Sequence, residues 1–159
     1  MNNSPFFSVM ICCYNSEKYI VETLNSIINQ TFKDWEIVIV DDGSTDKTAS
    51  IINDYINKGT RINYFFQENK GLATARNKAV ELAESDWIAI IDHDDICMLN
   101  RLEEQYSDIV NNPDVKLFFS NSYHIDEYGK VLNEQFKFIN PIIENLSKHN
   151  AMNSLLKKG

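Results

Sequence analysis

Apolar positions along the first two-thirds of this chain follow two alternating rhythms. Short, largely apolar runs read as sheet strands, the most continuous of them as strands buried on both faces. They occur at Phe7–Tyr14 (FSVMICCY), Trp35–Val40 (WEIVIV), Arg61–Gln67 (RINYFFQ) and Trp87–Ile91 (WIAII). Between them, apolar residues recur at helical spacing: Ile20, Leu24, Ile27 and Ile28, then Ile52, Tyr55 and Ile56, then Leu72, Ala75, Ala79 and Leu82. That is the stripe of a helix lying on a sheet. Ser44 or Thr45 is placed to cap the second helix, and Gly71 opens the third, whose alanines let it approach the sheet closely. Arg101–Val110 predicts a fourth helix, stopped by Asn112-Pro113, and Val115–Ser120 a fifth strand. After residue 120 the rhythm changes. Tyr123–Glu134 predicts a hairpin turning near Glu127–Lys130, followed by a short helix at Ile143–Lys148 and an apolar segment at Met152–Leu156. Strand–helix alternation predicts an α/β fold: a mainly parallel sheet flanked by helices on both faces, with a small antiparallel addition after residue 120.

Parallel strands share a direction, so their carboxyl ends meet at one edge, where ligands of such sheets gather. Tyr14-Asn15 ends the first strand, Asp41-Asp42-Gly43 the second, Asn69-Lys70-Gly71 follows the third, and Asp92-His93-Asp94-Asp95 follows the fourth. The last of these delivers three carboxylates within four residues. Charges so close repel and raise one another's pKa unless a cation or hydrogen-bond donors sit among them. A hard divalent ion shared with a phosphate relieves that repulsion. An aromatic ring for a base, carboxylates for base N–H or ribose hydroxyls, and a dication for a diphosphate describe a nucleotide-diphosphate site. His93 alternates away from such an ion. Each part also has an ordinary structural reading. Tyr14 can end the core, Asp41–Ser44 can be a helix-capping turn, Gly71 can serve tight backbone geometry, and Arg76 can be a solvated helix charge. The acidic run can itself cap the next helix. These separate readings do not account for the coincidence at four strand ends.

Composition narrows the field. The 159 residues suit one domain, and 43% hydrophobic with 11% aromatic content is that of a globular protein. A formal net charge of -8 argues against nucleic acid as a partner, since phosphate-backbone binding needs clustered cations. Cys12, Cys13 and Cys97 form no metal-binding spacing, and an odd count with an adjacent pair inside a strand predicts core thiols in a reducing cytoplasm. No apolar stretch approaches the ~18 residues of a membrane span, and the N-terminus lacks the layout of a signal peptide.

Taken in series, the segments SVMICCYNSEKYIVETLNSIINQTF, WEIVIVDDGSTDKT, NKGLATARNKAVELAESDWIAIIDHDD and MLNRLE resemble the family 2 glycosyltransferases of GT-A fold, inverting enzymes that use nucleotide sugars. The resemblance implies that Cys12, Tyr14 and Asn15 line the nucleobase pocket, with Tyr14 against the base. It implies that Asp42 accepts from uracil or its ribose and that Gly71 and Arg76 border the nucleotide and its phosphates. Asp92 would lie toward the ribose, and Asp94, with Asp92, would ligate Mn²⁺ or Mg²⁺ on the diphosphate. His93 falls among the nucleotide-sugar-binding positions between them, and Asp95 at the loop or sugar. The implied donor is a UDP-sugar, and the implied acceptor a saccharide or lipid-linked molecule of cell-envelope polysaccharide assembly at the cytoplasmic membrane face. The resemblance divides the chain into nucleotide-binding units at 1–111 and the start of an acceptor-side portion at 112–159. It places the catalytic base beyond Gly159, so this chain is expected to hold the donor site alone and to transfer poorly. A sheet edge left unfinished leaves homo-oligomer formation open. The competing reading is a nucleotide-binding or interaction module without catalysis. A haloacid-dehalogenase-like phosphoryl transferase also uses D-x-D, but on its first strand rather than its fourth.

Overall fold

The computed structural model describes residues 4–120, 122–126 and 128–133. The chain divides into two compact units, one running to Tyr106 and the other starting at Ser107, so the division falls within a helix. In the first unit the elements alternate as the apolar rhythm predicts: β1 (Phe7–Cys13), α1 (Ile20–Ile28), β2 (Trp35–Asp41), α2 (Thr48–Asn57), β3 (Ile62–Phe66), α3 (Leu72–Leu82) and β4 (Trp87–Ile90), followed by α4 (Arg101–Asn111), within which the division falls. The strands form a parallel sheet in the order β3-β2-β1-β4. In the second unit β5 (His124–Ile125) pairs antiparallel with β6 (Val131–Asn133), the predicted hairpin.

Strand order determines which face each helix covers. From β1 to β2 to β3 the chain steps one way across the sheet; from β3 to β4 it steps back past β1. Parallel crossovers are right-handed, so α1 and α2 lie on one face and α3 on the other. The burial pattern agrees. Met10, Cys12, Val38 and Val40 pack under Ala75, Ala79 and Ala83 of α3 and its C-terminal cap. The alternate residues Val9, Ile11, Ile37 and Ile39 are fully buried, as are Ile20, Leu24 and Ile27 of α1 and Ile52 of α2. The reversal places β1 between β2 and β4, and the crevice of a doubly wound sheet opens at the carboxyl ends of strands flanking such a switch point.

Several predicted details differ. Val115–Ser120 is not a strand; those residues lie outside regular structure. β1 and β2 are buried along their lengths, but β4 is an edge of the described sheet and Ile90 is 43% exposed, so burial on both faces does not extend to it. Leu72 is exposed rather than inward, because it sits in the first turn of α3 before that helix meets the sheet. Neither Ser44 nor Thr45 caps α2. The N-cap position is Lys47, whose side chain makes no capping bond; one residue before it, Asp46 accepts from the Thr48 N–H (2.9 Å) and hydroxyl (2.6 Å). The expected helix at 143–148 and the segment at 152–156 lie outside the described residues.

All three cysteines are buried and free. Burial pushes the Cys12 thiol up to about 11 and the Cys13 thiol higher still, with nearby carboxylates adding to the effect at both. Thiolates are the reactive form. Iodoacetamide at pH 8 should therefore leave Cys12 and Cys13 unmodified in the folded protein and alkylate both after unfolding, as read by intact and peptide mass. Rapid native labelling of either would contradict this packing.

Candidate functional site

The first wall of the crevice is made by the loops after β1 and β2, joined by hydrogen bonds. Asn15 takes left-handed backbone geometry (φ 49°), which asparagine tolerates better than most residues. Its N–H donates to Ser44 Oγ (2.9 Å), and its Oδ1 accepts from the Thr45 N–H (2.8 Å). The Ser16 N–H donates to Thr48 Oγ1 (2.7 Å). Glu17 and Asp46 complete the joint by exchange: the Glu17 N–H donates to Asp46 Oδ2 (3.0 Å), and Glu17 Oε2 accepts from the Lys47 N–H (3.0 Å). Tyr14, directly after β1 and 47% exposed, is carried at the rim of this braced wall.

Asp42 ties the second strand end to the third. It is buried, and its Oδ1 accepts from Gln67 Nε2 (2.7 Å) and the Lys70 N–H (2.9 Å), while its Oδ2 accepts from the Gly71 N–H (2.8 Å). Burial opposes ionisation here, but these donors outweigh it and hold the carboxyl below the usual carboxylate range. Three of roughly four acceptor positions on the carboxylate are thus used within the protein. Two glycines permit the junction. At Gly43 a Cβ would stand 2.8 Å from the Asn69 backbone nitrogen, so the two loops touch through hydrogen alone. Gly71 has open space around it but a φ of 85°, which aims its N–H at Asp42 as α3 begins. Beneath Asp42, the fully buried Asp41 accepts from Tyr64 Oη (2.9 Å) and from the Ser44 N–H (2.8 Å).

The acidic segment follows β4. Met10 pairs with Ile90, and the Ile91 N–H donates to Met10 O (3.1 Å), so the same register brings Asp92 level with Cys12. Asp92 and Asp94 are exposed, and half-buried His93 between them turns inward with its Nδ1 buried, the alternation expected of it. Arg76 on α3 reaches across to Asp92 Oδ1 (3.0 Å). With both side chains half-exposed, that ion pair contributes at most about 1 kcal/mol to the fold. It is weak enough to exchange for a ligand. Arg101 lies under the segment, donating to Ile90 O (3.0 Å). Burial, then the charges of Asp92 and Asp94, raise the Asp95 carboxyl above its ordinary range against the opposing pull of Arg101.

Five of the predicted residues, Cys12, Asp42, Gly71, Arg76 and Asp92, come together, while Tyr14 and Asn15 stand on the β1–β2 wall and His93 and Asp94 follow Asp92 in the chain. Cys12, buried at the end of β1, lies in the fields of Arg76, Asp42 and Asp92, and Asp42 holds the Gly71 amide. Asp94 and His93 act on Asp95 in the same way. Among the described residues no three His, Cys, Asp or Glu side chains converge as a complete metal cage. One or two hard carboxylate oxygens at a solvent-open tip suit Mn²⁺ or Mg²⁺ that takes its remaining ligands from phosphate and water. Lys70 belongs to the polar group expected after the third strand, whereas Gln67 and Arg101 are contributors that the sequence does not single out. Arg101 was legible in MLNRLE only as a helix start, and the Gln67 contact is a tertiary one with no local signal.

The family model for glycosyl transferase family 2 matches residues 8–156. An uncharacterized glycosyltransferase of Methanocaldococcus jannaschii is 41% identical over 98% of this chain and 59% of its own length. Among solved structures, S. aureus TarS in complex with UDP-GlcNAc is similar with a TM-score of 0.64 and 37% identity, covering 67% of this chain and 32% of that one. A mannosyltransferase of Pyrobaculum calidifontis in complex with GDP-Man and Mn²⁺ matches with a TM-score of 0.55 and 28% identity, covering 58% of this chain and 28% of its own. The chain thus spans well under two-thirds of the length of these proteins. Among the described residues no helix is long and apolar enough to cross a membrane.

Asp42→Asn replaces an acceptor-only group with one that presents N–H toward at least one backbone donor. The loss should be about 1–3 kcal/mol of unfolding free energy, measured by urea denaturation at pH 7. The folded-state pKa of Asp42 lies below its unfolded value of about 3.9. Its stabilisation is therefore present above that value and lost as pH falls through the lower folded one. The substitution should remove that share of acid sensitivity, and an unchanged slope of stability against pH below 4 would contradict the assignment.

Proposed function

This chain belongs to glycosyl transferase family 2, and we propose that the crevice at the ends of β1, β2 and β4 binds a nucleoside-diphosphate sugar, a UDP-sugar first among them, for inverting transfer. The observation carrying this reading is the meeting of Cys12, Asp42, Arg76 and Asp92 from four separate elements at the sheet's switch point, with Asp94 two residues beyond Asp92. The nucleotide sugars bound by the two solved neighbours support it. Tyr14 at the rim flanks the base, the Asn15-braced wall fixes its height, and the unused acceptor position of Asp42 takes a base N–H or ribose hydroxyl. Gly71 and Arg76 border the phosphates, Asp92 lies toward the ribose, and the His93 peptide spaces the two carboxylates.

Transfer with inversion breaks the bond between the anomeric carbon and the diphosphate oxygen, and the nucleoside diphosphate leaves with the electron pair. An acceptor hydroxyl forms the new bond from the opposite face while a carboxylate takes its proton. Asp94 and Asp92 would hold a dication, Mn²⁺ as in the mannosyltransferase neighbour or Mg²⁺, which would supply charge neutralisation to the departing diphosphate. Arg76, released from Asp92 as ligand enters, is placed to add a second positive charge there. We assign the proton acceptor to none of the described residues. The acceptor is a saccharide or a lipid-linked molecule of cell-envelope polysaccharide assembly.

Isothermal titration with UDP, GDP and dTDP, each with Mn²⁺ and with EDTA, tests the donor reading. Binding of a nucleoside diphosphate should depend on the metal, and Asp94→Asn should weaken it by at least about tenfold, the equivalent of 1.4 kcal/mol. Silence for every nucleoside diphosphate would leave the interaction-module reading in its place.

A further inference from the structure

The face that α1 presents to the rest of the first unit is divided. Ile20, Leu24 and Ile27 are fully buried apolar residues, as the helical rhythm predicts. Beside them Thr23 and Ser26, and Gln30 two residues past the end of α1, continue at spacings of three and four and are also buried: 0%, 8% and 1% exposed. Polar side chains buried in a row destabilise a helix packing face unless each finds a partner. All three find one in the same place. Thr23 Oγ1 donates to the His93 carbonyl (2.9 Å), and Ser26 Oγ accepts from the Cys97 N–H (3.0 Å). Gln30 Nε2 donates to Met98 O (2.7 Å) while its Oε1 accepts from the Leu102 N–H (3.0 Å) in the first turn of α4. Thr31 continues the seam, its N–H donating to Leu99 O (2.9 Å) and its hydroxyl to Glu103 Oε2 (2.8 Å).

Residues 91–100 contain no helix or strand, so their backbone groups depend on outside partners. The α1 seam satisfies five of the groups in residues 93–102: the carbonyls of His93, Met98 and Leu99 and the N–H groups of Cys97 and Leu102. The His93 carbonyl belongs to the peptide that links His93 to Asp94, one of the two candidate metal-side residues. Holding that carbonyl fixes the direction in which Asp94 leaves the backbone, without touching any ligand.

We propose that Thr23, Ser26 and Gln30 are positioning residues for the acidic segment, with Thr23 controlling the orientation of Asp94 through the His93 carbonyl. The idea rests on the donor-site reading above, for which Asp94 is the metal-side carboxylate. It explains why an amphipathic helix carries a buried polar stripe beside its apolar one. It also separates the ends of the chain's first helix by task, since the N-terminal residues adjoin the β1–α1 wall while this seam holds the opposite wall.

The test compares wild type, Thr23→Val and Thr23→Ser. Valine keeps the shape and removes the hydroxyl; serine keeps the hydroxyl. Titration with UDP in Mn²⁺ should show about tenfold weaker binding for Thr23→Val, the low end of the loss typical when a group orienting a metal ligand is removed. Thr23→Ser should restore binding to within about twofold of wild type, since the hydroxyl, not the methyl, does the positioning. The electron paramagnetic resonance signal of bound Mn²⁺ should change in Thr23→Val and return in Thr23→Ser. Hydrogen–deuterium exchange of residues 92–100 should quicken in Thr23→Val, with exchange in β1 and β2 unchanged. Wild-type affinity in Thr23→Val, or an equal loss in Thr23→Ser, overturns the proposal. If wild type binds no nucleoside diphosphate, the donor reading fails on its own. The positioning claim is then decided by exchange alone, and unchanged exchange across 92–100 in Thr23→Val overturns it.

Discussion

Mutual repulsion among the carboxylates of Asp92, Asp94 and Asp95 is the constraint that this structure has to meet. Three negative charges in four residues would drive an unsupported loop apart. Part of that conflict shows at Asp95, whose carboxyl is raised first by burial and then by the charges of Asp92 and Asp94. Elsewhere the fold meets it with two arginines, Arg76 across the crevice and Arg101 beneath it, and with backbone anchoring from α1. The two arginines differ in kind. Arg101 donates to a main-chain carbonyl and is built into the base of the loop, whereas Arg76 makes a half-exposed ion pair that a stronger anion can take over. An acidic tip with one built-in and one exchangeable counter-charge is suited to receiving a dication together with a phosphate.

The rest of the first unit makes that tip possible at a fixed place. The chain's reversal across β1 opens the crevice, and the close packing of Ala75 and Ala79 on Met10, Cys12, Val38 and Val40 brings α3, and Arg76 with it, within reach of β4. At the other strand ends buried carboxylates serve as structural acceptors. Asp42 gathers Gln67 and two backbone amides, Asp41 gathers Tyr64 and the Ser44 amide, and Asp46 accepts from the Thr48 amide. Donors supplied by the protein hold the Asp42 and Asp46 carboxyls below the usual carboxylate range, whereas Asp92 and Asp94 stand exposed at the tip. Acidic residues at neighbouring strand ends therefore perform opposite tasks, distinguishable by burial and partners and not by residue type.

Much of this was legible in the amino-acid order. Helical and extended apolar periods located β1 to β4 and α1 to α4 within a few residues, because the two central strands and the helices over them are buried and so carry strong patterns. The parallel order then implied that the motif-bearing loops would share an edge, and they do. Reading failed where burial is partial or partners are distant. Val115–Ser120 has strand-like composition but no ladder in the structure, so propensity alone did not make a strand. Leu72 fits the helical stripe of α3 yet precedes the point where that helix meets the sheet. Ser44 and Thr45 do not cap α2 but bond Asn15, contacts between residues 29 and 30 positions apart that no local window displays. Thr23, Ser26 and Gln30 appeared only as polar interruptions of an apolar helix; their common target becomes visible once the acidic segment is folded against them. Family membership, carried by motifs in series across residues 8–103 and matched by the family model over 8–156, was the most legible feature of all.

The central claim is that strand tips from separate parts of the chain jointly grip a metal-bound diphosphate. A crystal structure of this chain grown with UDP and Mn²⁺, with anomalous diffraction collected to locate manganese, tests it directly. The account predicts one anomalous peak within coordination distance of an Asp94 or Asp92 oxygen and of diphosphate oxygens, with the base beside Tyr14 and Asp42. Manganese or nucleotide seated on any other surface, with the crevice between β1 and β4 empty, would contradict it.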